Sequence, residues 1–401
     1  MKERLSQRLK NIQPSLTVAT NVKANALRAE GRDVLVLAAG EPDFDTPKNI
    51  RDAALTAMND GQTRYVPGKG TPLLQKAIIN KFRKDNNLLY NFDEIMVGVG
   101  GKHIIYNVMM ATLNPNDEVI IPAPYWVSYP DIVLLAEGKP IIVPCDDKQS
   151  FKILPEQLEK HINKNTKWLM LNSPSNPTGA VYSYDELKKI AEVLLKYPQV
   201  LILSDDIYEK ILYDSLKFYT IATVEPELKN RTVTMNGVSK AYCMTGWRLG
   251  YCGGPKEIIA AMNKIQSQST TSTSSISMAA AIEALNGNQD FIEIHNQHFK
   301  NRRDMVVEKL NKIPGITCEI PQGAFYVYPN CFGCINKKTP NGDIIKSDED
   351  FMNYLLDNQG VAGVHGEAFG LSPYFRLSYA AAENTLKEAC DRIMKACSQL
   401  N

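Results

Sequence analysis

Of the 401 residues, 44% are apolar and 22% charged, and 45 Lys and Arg nearly balance 44 Asp and Glu for a formal net charge of +1. That balance gives no electrostatic case for nucleic acid or an anionic membrane, so small molecules are the expected partners, and a chain of this length outgrows one core and predicts two domains. No apolar leader follows Met1, no stretch approaches the roughly 20 apolar residues of a membrane span, and the eight cysteines are scattered, so a reducing, cytoplasmic location is expected.

Residues 1–30 read as a polar, partly helical lead-in, and Val34-Leu35-Val36-Leu37 as a short strand. The strand is stopped by Ala38-Ala39-Gly40-Glu41-Pro42-Asp43-Phe44-Asp45-Thr46-Pro47, a Gly/Pro/Asp cluster that neither a strand nor a helix can absorb. Long irregular loops of this kind often carry function. From about residue 49, helical patterns such as 73–80 alternate with short apolar runs at 95–99, 119–122, 141–144, 168–171, 200–203, 232–235 and 249–251. Ser183 and Glu186 form a capping box ahead of a helix running to Lys196. This alternation predicts a mainly parallel central sheet covered on both faces by helices, with ligands gathered at the C-terminal ends of its strands. A long helix is expected over about 257–312. A smaller α+β unit then follows, with a strand at 325–329, a polar insertion at 331–347, a helix at 348–357 and a strand at 375–379. Its last helix carries Leu386, Cys390, Ile393, Met394 and Cys397 on one face. The tight pair Cys331-Phe332-Gly333-Cys334 lacks the second pair that zinc requires, so two incidental thiols are expected there rather than a metal.

Several strand ends carry chemistry. Gly98-Val99-Gly100-Gly101-Lys102-His103 opens a helix and reads as a phosphate cradle or a simple tight turn; it matches neither the Walker loop nor the dinucleotide fingerprint. Trp126 follows the run ending at Pro122, where an aromatic ring can cover a planar ligand or close the core. Asn172-Ser173-Pro174-Ser175-Asn176-Pro177-Thr178-Gly179 fixes a loop and offers the Asn176 amide, although the same residues suit an ordinary turn. Asp205 ends the run 200–203, where a carboxylate is costly to bury without a cationic partner, and Tyr208 lies three residues on. Lys240 and Arg248 stand eight residues apart in Ser239-Lys240-Ala241-Tyr242-Cys243-Met244-Thr245-Gly246-Trp247-Arg248. In a parallel sheet these positions share one edge. Together they offer a phosphate cradle, an aromatic cover, donors for a phenolate, a carboxylate for a pyridinium and an amine for an aldehyde. That set matches pyridoxal 5′-phosphate, with Lys240 as the Schiff-base lysine.

These motifs, with Phe375-Arg376-Leu377-Ser378-Tyr379, resemble those of class I pyridoxal-phosphate aminotransferases of the aspartate aminotransferase family over nearly the whole chain. Cys243 stands where that family usually has Gly, Ala, Ser or a small aliphatic residue. The resemblance implies the fold type I α/β architecture, with a large cofactor-binding domain at 49–288 and a small domain built from 1–48 and 289–401. It implies that Lys240 holds the cofactor and shuttles the substrate proton, that Asp205 keeps the ring nitrogen protonated, and that Asn176 and Tyr208 bind the ring oxygen. Gly100, Gly101, Lys102 and Arg248 would surround the phosphate. Ser239 is a less certain donor, because Gly237 occupies the place where relatives often have Ser or Thr. Tyr65 would reach the partner subunit's phosphate in a homodimer with shared active sites. Arg376 would clamp the substrate α-carboxylate, with Gly40, Trp126 and Asn176 completing that end. The implied reaction is ping-pong transfer of the amino group from L-aspartate to 2-oxoglutarate. The second carboxylate-binding group is not placed; candidates lie in the N-terminal segment and near Ser267 to Ser272. Gln13 precedes Pro14-Ser15 where relatives that also use prephenate tend to carry a basic residue, which counts against that substrate without removing it. Another donor specificity, or a lyase on the same fold, stays open as an alternative.

Overall fold

The structure, a computed structural model, describes residues 4–12, 14 and 16–401, without the side chains of Thr17 and Val18. Gln13 and Ser15, on which the prephenate expectation turns, lie outside the described residues. The first strand, β1 (Leu35–Val36), stands apart from the main sheet. Then come β2 (Ile95–Gly98), β3 (Glu118–Ala123), β4 (Lys139–Pro144), β5 (Thr166–Asn172), β6 (Leu201–Asp205), β7 (Thr232–Gly237) and β8 (Gly250–Gly253). These seven form one sheet in the order β2-β8-β7-β6-β5-β3-β4. Only β8 runs antiparallel to its neighbours, so the alternation read from the sequence gives the mainly parallel sheet it predicts.

Near-continuous apolar strands are needed here because both faces are covered. Successive residues of each strand feed opposite layers. Ile121, Met170 and Leu203 pack with the helices Gly101–Thr112, Ser128–Leu135 and Lys256–Ser267. Their neighbours Ile120, Leu169 and Ile202 pack with Pro155–His161 and Tyr184–Leu195 on the other side. The Tyr184 helix starts as its capping box requires, with Ser183 Oγ accepting from the Glu186 amide and Glu186 Oε2 accepting from the Ser183 amide.

The single helix expected over 257–312 is three helices: Lys256–Ser267, Ser275–Asn286 and Phe291–Leu310. The first break falls in the Ser/Thr-rich stretch, where hydroxyls compete for backbone partners. Ser269 Oγ donates to the Ile265 carbonyl, and Ser274 Oγ accepts from the Ser277 amide to start the next helix. Gly287 ends that helix.

In the C-terminal region, β9 (Tyr326–Val327) is shorter than the five-residue strand expected, and β10 (Val361–Ala362) pairs in parallel with β1. Two further strands, β11 (Val364–His365) and β12 (Phe375–Ser378), join β9 in an antiparallel sheet of order β11-β12-β9. The Glu383–Ser398 helix buries Leu386, Cys390, Ile393 and Cys397, as its pattern predicts. All eight cysteines are buried free thiols, and Cys334 Sγ lies 3.9 Å from Cys397 Sγ. Among the described residues no helix is long and apolar enough to cross a membrane.

Candidate active site

The parallel strands β3, β5, β6 and β7 all point their C-terminal ends at one edge, and the loops leaving them build a cavity of about 350 Å³. Gly101, Lys102, Trp126, Asn176, Asp205 and Tyr208 line it from the sheet side, together with Ser239, Lys240 and Arg248. Gly40 and Arg376 line it from the N- and C-terminal segments. A larger depression of about 810 Å³, near Asp85, Asp214 and Lys300, contains none of these residues. Size is therefore a poorer guide here than the convergence of ionisable groups.

Asp205 is the last residue of β6 and is 4% exposed. The two-residue period of the strand sends it to the same face as Leu203, where Tyr129 donates its hydroxyl to Oδ2 at 2.5 Å. Burial pushes the carboxyl up to about 6, against the opposing pull of the Tyr129 and Ile207 hydrogen bonds and of Lys240. Tyr129 carries no sequence signal of its own beyond its position in the helix after Trp126.

Lys240 is half-buried, and its Nζ donates to the Gly40 carbonyl at 2.6 Å. Burial is the main cause that brings its amine down to about 8. Arg376 and Arg248 add to that, while Glu41 and Asp205 oppose it. An amine brought down in this way gives up its proton at a lower pH than an ordinary lysine, so it can act as a nucleophile and as a base. The loop that carries it is tied to the Gly40 loop at three more points. Thr46 Oγ1 donates to the Cys243 carbonyl at 2.6 Å, Trp247 Nε1 to Thr46 Oγ1 at 2.9 Å, and Thr245 Oγ1 to Glu41 Oε2 at 2.9 Å. Cys243 fits as a small buried residue, with Sγ 3.7 Å from His295 Nδ1.

At the other end of the cavity, Gly100 caps the Gly101–Thr112 helix with φ of 82°. A β-carbon at Gly100 would lie 2.5 Å from Arg248 Nη2, so glycine is required both by the backbone and by the approach of the guanidinium. A helix N-terminus, an arginine and Ser239 together make an anion cradle. Lys102 Nζ sits 5.0 Å from the Trp126 ring, and burial followed by Arg248 lowers its pKa.

Arg376 comes from β12 and is 2% exposed. Nη1 donates to Asn176 Oδ1 at 2.8 Å and Nη2 to the Ala38 carbonyl at 2.6 Å, while the buried Nε has no partner. Its guanidinium packs on the rings of Tyr326 and Phe369. The sequence places Tyr326 only in the 325–329 strand; its hydroxyl is 2.8 Å from that of Tyr208. The sequence assigns Asn172 only to a rigid loop, but it also lines the cavity, accepting from the Asn176 amide and donating to the Asp205 carbonyl. Tyr65 is 93% exposed and does not line this cavity.

An anion cradle, a buried carboxylate and a depressed lysine, spaced along one strand edge, suit a phosphorylated pyridine aldehyde better than a metal or a nucleotide. They define an enzyme class that works on amines through pyridoxal 5′-phosphate. The model of aminotransferase classes I and II matches residues 32–393, and the chain belongs to that family, which uses this cofactor. It is 54% identical to a probable aspartate/prephenate aminotransferase of Rhizobium leguminosarum bv. phaseoli, over 98% of each chain. It is also 54% identical to the aspartate/prephenate aminotransferase of Cereibacter sphaeroides, over 99% of each. The crystal structure of the aspartate aminotransferase from Rhizobium meliloti superposes with a TM-score of 0.97 at 51% identity, over 100% of each chain.

Proposed function

We propose that the chain transfers the α-amino group of L-aspartate to 2-oxoglutarate, releasing oxaloacetate and L-glutamate. The carrying observation is Arg376, a buried guanidinium whose Nε is unpartnered and which shares its cavity with Lys240 and Asp205. A planar fork held by Asn176 and Ala38 is preorganised for the α-carboxylate common to every amino and keto acid. The names of the relatives supply the donor, aspartate.

Pyridoxal 5′-phosphate, when bound, supplies an aldehyde carbon for amine exchange and a cationic ring that accepts the electron pair left at the α-carbon. Lys240 would hold the cofactor through its aldehyde and, when free, its amine would carry the substrate α-proton. Asp205, held by the Tyr129 hydroxyl, would keep a proton on the ring nitrogen. Tyr208 and Asn176 would serve the ring oxygen, and Trp126 would cover the ring. Gly100, Gly101, Lys102, Ser239 and Arg248 hold the phosphate.

Steady-state rates with aspartate, tyrosine, alanine and arogenate as donors to 2-oxoglutarate test the assignment. No activity with aspartate overturns the donor, and activity that needs no keto acid would point to a lyase. Arg376→Lys loses the fork. It should raise KM for donor and acceptor alike by about ten- to a hundredfold, with a smaller change in kcat; an unchanged KM would remove Arg376 from the carboxylate site.

The exposed Tyr65 would complete the phosphate site of a partner subunit in a homodimer. Sedimentation should find a dimer, and Tyr65→Phe should weaken cofactor binding without dissociating it. A fully active monomer would exclude this arrangement.

A further inference from the structure

Tyr326 of β9 and Tyr208, which follows β6, meet in the cavity. Tyr326 stands opposite Ser378 in the antiparallel pairing of β9 with β12. Residues two apart on a strand share a face, so Arg376 lies diagonally across from Tyr326, and its guanidinium rests 4.6 Å from the Tyr326 ring. Tyr208 packs edge-on against the rings of Phe325 and Tyr326. Burial keeps both phenols protonated, and their oxygens stand 2.8 Å apart. The Tyr326 hydroxyl also closes on Gly40, where a β-carbon would lie 3.0 Å from it, and the Gly40 carbonyl is the one that receives Lys240.

Packing against Arg376 does not call for a hydroxyl, since the plain ring of Phe369 does the same on the same guanidinium. A buried hydroxyl is costly unless it is bonded, so that of Tyr326 needs another role. Two hydroxyls at this distance share a hydrogen bond, and each phenol has one proton to give. In the arrangement proposed above, Tyr208 gives its proton to the ring oxygen of the cofactor. It then has none left for Tyr326, so the contact exists only if Tyr326 donates to Tyr208. That donation fixes the direction of the Tyr208 proton and polarises it, because hydrogen bonds in a chain strengthen one another by about 10–30%.

We infer that Tyr326 is a positioning residue for the cofactor: it donates to the Tyr208 hydroxyl and so turns the single Tyr208 proton toward the ring oxygen. The inference rests on the placement of Tyr208 at that oxygen.

The test is a pH titration of the cofactor absorbance in the holoenzyme and in Tyr326→Phe, Tyr208→Phe and the double variant. Phenylalanine keeps the ring that packs on Arg376 and Tyr208. Donors facing the ring oxygen stabilise its anionic form, so the proton whose loss changes the absorbance leaves at lower pH when they are present. Tyr326→Phe should therefore raise the midpoint by about 0.3–1 pH unit, and Tyr208→Phe should raise it further. In the Tyr208→Phe background, Tyr326→Phe should add less than about 0.1 unit, because its effect passes through Tyr208. Titration of the cofactor-free proteins with pyridoxal 5′-phosphate should show affinity falling about two- to fivefold in Tyr326→Phe, again with no further loss in the double variant. Equal shifts with and without Tyr208 would make Tyr326 act on its own and overturn the inference. So would a loss of affinity, or a rise in KM for aspartate, with an unmoved midpoint, which marks a packing or substrate contact. If Tyr208→Phe moves the midpoint and Tyr326→Phe does not, only the role of Tyr326 fails. If neither moves it, the placement of Tyr208 fails and this inference fails with it.

Discussion

Replacing Lys240 with alanine should reduce amino transfer by about 10⁴-fold or more, because one side chain provides both the covalent tether and the proton carrier. The cavity offers no substitute. Lys102, the other lysine in its lining, stands over Trp126 at the cradle end. The variant should fold normally, since the Lys240 ammonium is destabilised by burial rather than needed for stability. Borohydride treatment followed by peptide mass spectrometry should fix the cofactor on wild-type chain at the peptide containing Lys240, and fix none on the variant. Wild-type turnover by Lys240→Ala would remove the lysine from the reaction.

Asp205→Asn should act in opposite directions on catalysis and on stability. It keeps the size of the side chain and an oxygen that can accept from Tyr129 and Ile207, but removes the charge that would hold a proton on the ring nitrogen. Loss of one partner of a buried charged pair costs about 3–5 kcal/mol, so kcat/KM should fall by about 10²–10⁴-fold. In the cofactor-free protein the same charge has no such partner. The carboxyl there is raised from an ordinary 3.8 to about 6, so keeping it ionised weakens the fold above pH 6. That cost fades as the pH falls from 6 to 4 and is absent below. A shift of this size corresponds to a stability cost on the order of 3 kcal/mol. Cofactor-free Asp205→Asn should therefore melt above wild type at pH 7–8 and coincide with it near pH 4, while the cofactor should stabilise wild type more. A variant that is less stable at every pH, or fully active, would contradict the role given to Asp205.

Much of this was legible in the chain because strands buried on both faces leave an unambiguous apolar trace, and because residues that end such strands share an edge. Asp205 after 200–203 and Lys240 after 232–235 are of this kind. The long helix expected at 257–312 failed for a local reason, since apolar spacing alone does not register hydroxyls that take over backbone hydrogen bonds. Tyr129 and Tyr326 escaped because nothing in their spacing distinguishes them from core aromatics; only the folded chain brings their hydroxyls to Asp205 and Tyr208.

The sequence by itself determined the sheet, its active edge and the lysine, because local hydrophobic period and strand-end chemistry are properties of neighbours in the chain. Tertiary structure alone decided that Lys240 rests on Gly40, 200 residues away, and that Arg376 is held by Asn176 and Ala38. These contacts join segments from both ends of the chain to the sheet, and no periodicity spans such distances. The pKa values that follow come from burial in that assembly.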